Sequence, residues 1–156
     1  EKKVTNDSKL FFVYGTLRPS IKACYSDIVH KSELFKLKYY KAKVYGVKLF
    51  DRVDCGYPSI KITNNQKDFV IGDILESSNY EESLKVFDMI EGYPDLFNKK
   101  QTDKCWNIDL RKKQSVWIYY MNSLDGLNSE EEYKNNGFAP VKSGDYEVHR
   151  KESNKK

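Results

Sequence analysis

One stretch constrains the fold more than any other: Leu10-Phe11-Phe12-Val13-Tyr14-Gly15-Thr16-Leu17-Arg18-Pro19. Four successive apolar residues bounded by polar positions fit a short strand buried on both faces. The strand breaks at Gly15, where the backbone can take conformations that a β-carbon resists. Arg18-Pro19 then prevents the chain from continuing as a strand or entering a helix cleanly. A buried strand that ends in such a turn can aim several backbone N–H groups into one space, and concavities of this kind bind carboxylates and other anions. On pattern alone, an ordinary strand end with a tight turn is the simpler account of the stretch.

The 156 residues are expected to form one domain over 1–156, with an ordered core at about 9–149. A hydrophobic content of 39% with 14% aromatics argues for a packed core and against disorder. No apolar run approaches the ~20 residues of a membrane span, so no membrane partner is expected. The start shows no secretory signal pattern. Residue 1 is Glu rather than Met, which leaves room for a trimmed leader.

The net charge of +4 invites a nucleic-acid reading that its distribution opposes. Three lysines against two acids give residues 1–9 a charge of +1, and four basic residues against Glu152 give residues 150–156 a charge of +3. Residues 10–149 are therefore neutral. A basic groove needs Lys and Arg clustered on the folded body. The Tyr and Lys interleaving at Lys36–Lys43 is the best candidate, and an exposed strand face explains it as well. Cys24, Cys55 and Cys105 are odd in number and lack a Cys-x-x-Cys pair. With only His30 and His149 beside them, no zinc-type ligand set emerges. This usage reads as a reducing, cytoplasmic compartment with no metal; a catalytic Cys with His30 is a lesser reading than three scattered thiols.

Along the chain, Ile21–Val29 fits a short helix or a loop, and Leu34–Phe50 one or two strands with Gly46 as a bulge or close-approach point. Asp51–Gly56 carries turn chemistry. Ile60–Ile62 alternates as a half-buried strand, Asn64–Asp68 is a polar hairpin loop, and Phe69–Leu75 is the next strand with Gly72 inside it. Ser78 precedes Glu81 by the spacing of a capping box. Tyr80, Leu84, Phe87 and Ile90 then recur at helical intervals until Gly92 and Pro94 stop the helix. Phe97–Leu110 and Gln114–Met121 read as strands joined at Arg111-Lys112-Lys113. Ser129–Lys134 fits one short helix, and Ser143–Tyr146 a turn into a last short strand. The pattern predicts an α+β domain: a small mixed β-barrel of about six strands with flanking helices.

Asp88 and Glu91 lie three apart on the predicted helix, so their carboxylates are neighbours. Like charge, the negative helix end and burial by nearby aromatics would all raise the pKa of Glu91. A carboxylate so tuned suits a general base near neutral pH. Two solvated acids at a helix end are the plainer alternative.

Four segments resemble one family. Val13-Tyr14-Gly15-Thr16-Leu17-Arg18 looks like the opening motif of the γ-glutamylcyclotransferase-like family, a strand followed by Tyr-Gly-Ser/Thr-Leu. Phe87–Phe97 resembles the segment in which a helix ends in an acid, an apolar pair and the catalytic Glu, with Phe97 where the family usually has Tyr. Gly72-Asp73-Ile74 resembles the family's Gly-Glu-Val strand, and Ser143-Gly144-Asp145-Tyr146 its Ser-Gly-Asp-aromatic close. The matches span residues 10–146, with about seventy-five residues between the Tyr-Gly turn and Glu91. Tyr-Gly-Thr-Leu is similar to the γ-glutamylamine cyclotransferase branch. Glu-Gly-Tyr-Pro also suits avirulence-induced-protein-like members.

The resemblance implies a small β-barrel enzyme that cyclises a γ-glutamyl group, releasing 5-oxoproline and an amine or amino acid, with no metal or organic cofactor. It implies Glu91 as the catalytic base and Tyr14, Gly15, Thr16 and Leu17 as the substrate-binding turn. Tyr14 would line the pocket or end the core strand. Arg18 is a lesser candidate for the substrate carboxylate, and Tyr119, Tyr120 or Tyr133 would close the site. The leaving group would be chosen by the loops at Ser20–Phe35 and Leu124–Pro140. The expected partner is a small γ-glutamyl compound, and the chain is expected to be a monomer or homodimer. The alternative is a non-catalytic module of the same fold that binds a small carboxylate or a protein, although a general base is superfluous in a pure binder. An acyl-removing step in a biosynthetic pathway would keep the same site, and an RNA-binding β-domain is a distant third.

Overall fold

The computed structural model describes residues 9–21, 29–31, 36–52 and 57–153. The first strand, β1 (Leu10–Val13), is buried as the sequence predicts. Its alternating side chains feed two cores: Phe12 packs into one, Phe11 and Val13 into the other. A strand with no wet face must sit between two layers.

Those layers are a closed barrel and a second sheet. β2 (Lys38–Tyr45), β5 (Phe69–Glu76), β6 (Phe97–Asn107) and β7 (Lys112–Met121) join β1 in the barrel order β1-β5-β2-β6-β7. β1 runs antiparallel to β5, with Phe12 opposite Ile74, and closes in parallel on β7 at Phe11 and Trp117. β3 (Val47–Arg52), β4 (Tyr57–Ile62) and β8 (Phe138–Pro140) form a three-stranded sheet ordered β4-β3-β8. The helices described in full are α1 (Tyr80–Glu91), α2 (Asn122–Asp125), α3 (Glu130–Asn135) and α4 (Tyr146–Ser153). Among the described residues, no helix is long and apolar enough to cross a membrane.

The expected α+β barrel architecture is present; among the described residues there are eight strands, five of them in the barrel, where about six were expected. Gly46, at φ 80°, is a corner rather than a bulge: its N–H donates to the Asp68 carbonyl and its own carbonyl accepts from Thr63 and Asn64. The chain thus leaves the barrel after β2 and enters the second sheet as β3. The β6–β7 turn falls at 108–111, so Lys112 and Lys113 are already in β7. Asp51 and Arg52 still belong to β3, while the rest of the expected Asp51–Gly56 turn and most of Ile21–Val29 lie outside the described residues.

Two helix ends differ from expectation. Asn79, not Ser78, caps α1, its side chain accepting from the Glu82 N–H at 3.3 Å. Residues after Tyr146 form a helix rather than a strand, because Asp145 Oδ1 accepts from the Glu147 N–H at 3.0 Å and caps its first turn. Phe87 is fully buried and Tyr80, Leu84 and Ile90 are half-buried, so the predicted face of α1 does pack inward. At its other end Gly92 (φ 67°) takes the left-handed conformation and the Tyr93 N–H donates to the Asp88 carbonyl at 2.8 Å.

Candidate functional site

The turn after β1 and the C-terminal end of α1 meet at one cavity of about 380 Å³. Its lining includes Tyr14, Gly15, Thr16 and Leu17 from the turn, Ile90 and Glu91 from α1, and Tyr119 from β7. All five residues singled out from the sequence therefore face the same space, although Glu91 lies far from the others in the chain. Phe12 and Val13 of β1, Tyr57 and Pro58 of β4, Leu96 just before β6 and Phe97 at its start complete the wall.

Gly15 owes its place to close approach rather than to a left-handed backbone. A β-carbon there would lie 2.5 Å from Pro58 Cγ and 2.8 Å from Pro58 Cδ. The turn itself is closed by the Arg18 N–H donating to the Gly15 carbonyl at 2.9 Å. Pro58 is tolerated in β4 because β4 is an edge strand, where a missing N–H breaks no ladder.

Glu91 is the anionic group of the cavity lining among the described residues. Burial raises its pKa from 4.5 to about 7, since a low-dielectric setting disfavours the charged form. The neighbouring Asp88, expected to contribute by like charge, does not set this shift. Asp88 is occupied elsewhere: Lys99 Nζ donates to its two oxygens at 2.9 and 3.1 Å, and the Tyr119 hydroxyl donates at 2.5 Å. Lys99 also sits over the Tyr93 ring, 4.4 Å from its centroid. Glu91 is thus left as a carboxyl that can exchange a proton near neutral pH.

Tyr14 takes both roles offered for it. It is 6% exposed and part of the barrel core, yet its ring borders the cavity. Its hydroxyl donates to the Tyr119 carbonyl at 2.6 Å, and burial followed by the Glu91 charge holds its pKa well above the usual value. Of the three later tyrosines, Tyr119 lines the cavity. Tyr133 instead packs on Phe50, with ring centroids 4.6 Å apart.

Arg18 is not available to a substrate. It is 3% exposed, its Nε 2.8 Å from Asp73 and its Nη1 2.9 Å from Asp145, so it fastens the opening turn to β5 and to the cap of α4. Nor do His30 and a cysteine form a reactive pair among the described residues. Burial pushes the Cys105 thiol up to about 12, and His30 Nδ1 lies 3.0 Å from the Tyr39 hydroxyl. Cys24 and Cys55 lie outside the described residues. Among the described residues, no group of three or more His, Cys, Asp and Glu side chains is placed to hold a metal ion.

Sequence reasoning missed Tyr57, Pro58 and Leu96. The contact of Pro58 with Gly15 joins β4 of the second sheet to the turn after β1, and no local periodicity reports it. The loop expected at Leu124–Pro140 contributes nothing to the cavity lining. The one expected at Ser20–Phe35 lies mostly outside the described residues.

Comparison with known proteins agrees with this fold. The fold is similar to that of YkqA from Bacillus subtilis, at 22% identity and a TM-score of 0.64 over 94% of this chain. The chain spans 42% of the length of that protein. It is similar to an AIG2-like protein from Mus musculus, at 14% identity and a TM-score of 0.61, covering 78% of this chain and 80% of the other. It is also similar to a structure described as a gamma-glutamyl cyclotransferase, at 17% identity and a TM-score of 0.52, covering 82% of this chain and 79% of the other. No curated protein sequence matches it. The profile of the family described as "Gamma-glutamyl cyclotransferase, AIG2-like" matches residues 11–148, nearly the whole of the described fold, and the chain belongs to that family.

Proposed function

We propose that this protein is a cyclotransferase that cleaves a γ-glutamyl amide, releasing 5-oxoproline and an amine or amino acid. The observation that carries the reading is Glu91, a carboxyl with a pKa of about 7 facing the Tyr14–Leu17 turn across one cavity. The turn would hold the substrate's α-carboxylate, folding the γ-glutamyl chain so that its amine and γ-carbonyl approach. Because the reaction is intramolecular, this positioning supplies much of the rate.

Ionised Glu91 takes a proton from the α-ammonium. The freed nitrogen attacks the γ-carbonyl carbon, forming the lactam C–N bond and a tetrahedral oxyanion that turn N–H groups can stabilise. The oxyanion collapses, the bond to the departing nitrogen breaks, and that nitrogen is protonated. Overall two protons pass from the attacking to the departing nitrogen, water is not consumed, and Glu91 ends as it began. The Tyr14 hydroxyl, committed to the Tyr119 carbonyl, shapes the wall without exchanging a proton.

The test is 5-oxoproline release from a panel of γ-glutamyl amino acids and amines by the wild-type chain and Glu91→Gln. Release that vanishes in the variant supports the reading. Equal release by both proteins removes Glu91 from the mechanism, and silence across the panel from a folded protein favours the small-carboxylate-binding module.

A further inference from the structure

We infer that the leaving amine carries an uncharged, apolar chain, held along the wall formed by Tyr57, Pro58, Ile90, Leu96 and Phe97. This inference rests on the cyclotransferase reading of the site and adds the substrate class. The chemistry places the two ends of the substrate. The α-amine must reach Glu91, so the γ-carbonyl and the departing nitrogen lie beside it. The glutamyl carboxylate belongs to the Tyr14–Leu17 turn. The chain carried by the departing nitrogen must therefore extend along the rest of the wall, toward the solvent opening.

That remaining wall is apolar. Phe97 and Pro58 are buried, Tyr57 and Ile90 half-buried, and Leu96 is 43% exposed, which marks it as the rim. Among the described residues, the cavity lining offers no Lys, Arg or His and no acid besides Glu91. A charged group on the leaving amine would lose water against hydrocarbon with no opposite charge to meet it, whereas an alkyl chain gains from the same burial.

The rim is also held in place rather than loosely draped. The Leu96 N–H donates to the Gly92 carbonyl at 2.8 Å and the Leu96 carbonyl accepts from the Asn122 N–H at 3.1 Å. The Asn122 side chain donates to the carbonyls of Pro94 and Asp95 at 2.9 and 3.1 Å. The loop between α1 and β6 is thus tied at both ends, and Leu96 presents a preformed apolar edge.

Three γ-glutamyl amides of matched chain length test this: those of n-butylamine, 4-aminobutanoate and butane-1,4-diamine. They differ at the chain end, which is neutral, anionic or cationic. We expect kcat/KM for the butylamide to exceed both charged analogues by about tenfold or more, the scale on which a hydrophobic pocket discriminates. Leu96→Lys should shrink the ratio of butylamide to 4-aminobutanoate amide at least severalfold. Because Leu96 is a rim residue, the substitution should leave the circular dichroism spectrum unchanged. Release of 5-oxoproline with equal rates, or with a charged analogue preferred, overturns the inference and leaves the cyclotransferase reading standing. No release from any of the three, or from the wider γ-glutamyl panel, overturns both.

Discussion

The hydroxyl of Tyr119 donates to Asp88 Oδ1 at 2.5 Å, while the carbonyl of the same tyrosine accepts from Tyr14 at 2.6 Å. One residue of β7 therefore ties the opening turn to the helix that ends in Glu91. Lys99, opposite Tyr119 in the β6–β7 ladder, completes the tie by neutralising Asp88. Asp88 anchors the helix and Glu91 is left free to titrate; two acids three residues apart have different surroundings and different tasks.

Removing the anchor should loosen the site without removing its base. Asp88→Asn leaves the mostly buried Lys99 without its carboxylate, and Tyr119→Phe deletes a hydrogen bond to a charged acceptor. Each should cost about 2 kcal/mol of stability, read from urea unfolding. A better-hydrated Glu91 would also titrate lower, so the acid limb of kcat/KM should move down in pH in Asp88→Asn. A limb that stays at the wild-type position would show that Asp88 has no part in setting the environment of Glu91.

Activity should rise with pH through about 7, because Glu91 must be ionised to accept a proton and burial holds its pKa there. Stability should move the other way. A carboxyl that binds its proton more tightly when folded stabilises the fold below its unfolded pKa of 4.5, and loses that contribution as pH rises toward 7. The loss is on the order of 3 kcal/mol for a shift of this size. Glu91→Gln should flatten this part of the stability profile, as urea midpoints at pH 5 and pH 8 would show.

Gly15→Ala should drive a β-carbon into Pro58, where 2.5 Å leaves no room. Overpacking of this kind costs about 1–3 kcal/mol and would displace the cavity wall, lowering activity. Adding Pro58→Ala should restore part of both. A double variant no better than the single one would mean that the contact with Pro58 is not what demands glycine.

Arg18→Met should destabilise the protein by about 3 kcal/mol, since it strips the cation from half-buried Asp73 and buried Asp145. Arg18→Lys should recover little, because one ammonium cannot reproduce two separate guanidinium N–H contacts. The variant should release α4 from the barrel first, and hydrogen exchange of the amides from Tyr146 onward would report it.

Much of this molecule was legible in local sequence. The run from Phe11 to Val13 declared a strand buried on both faces, because nothing polar alternates within it. Spacing from Tyr80 to Ile90 declared the helix and Gly92 its end. Asp88 and Glu91 could be placed together by helical geometry, and the motifs around Tyr14 and Glu91 pointed to one family. Composition separated the charged ends from a neutral body.

Tertiary structure decided what depends on partners distant in the chain. The helix after Asp145 replaced the expected strand once that aspartate could cap its first turn and meet buried Arg18. Burial raises the pKa of Glu91, and burial is a property of the assembled wall, not of the neighbouring residue in the helix. Sequence by itself determined which residue types stand at each turn and helix end, because those preferences act over a few bonds. Only the folded barrel decided which carboxyl is paired and which is free, because desolvation and ion pairing require groups that the chain brings together from far apart.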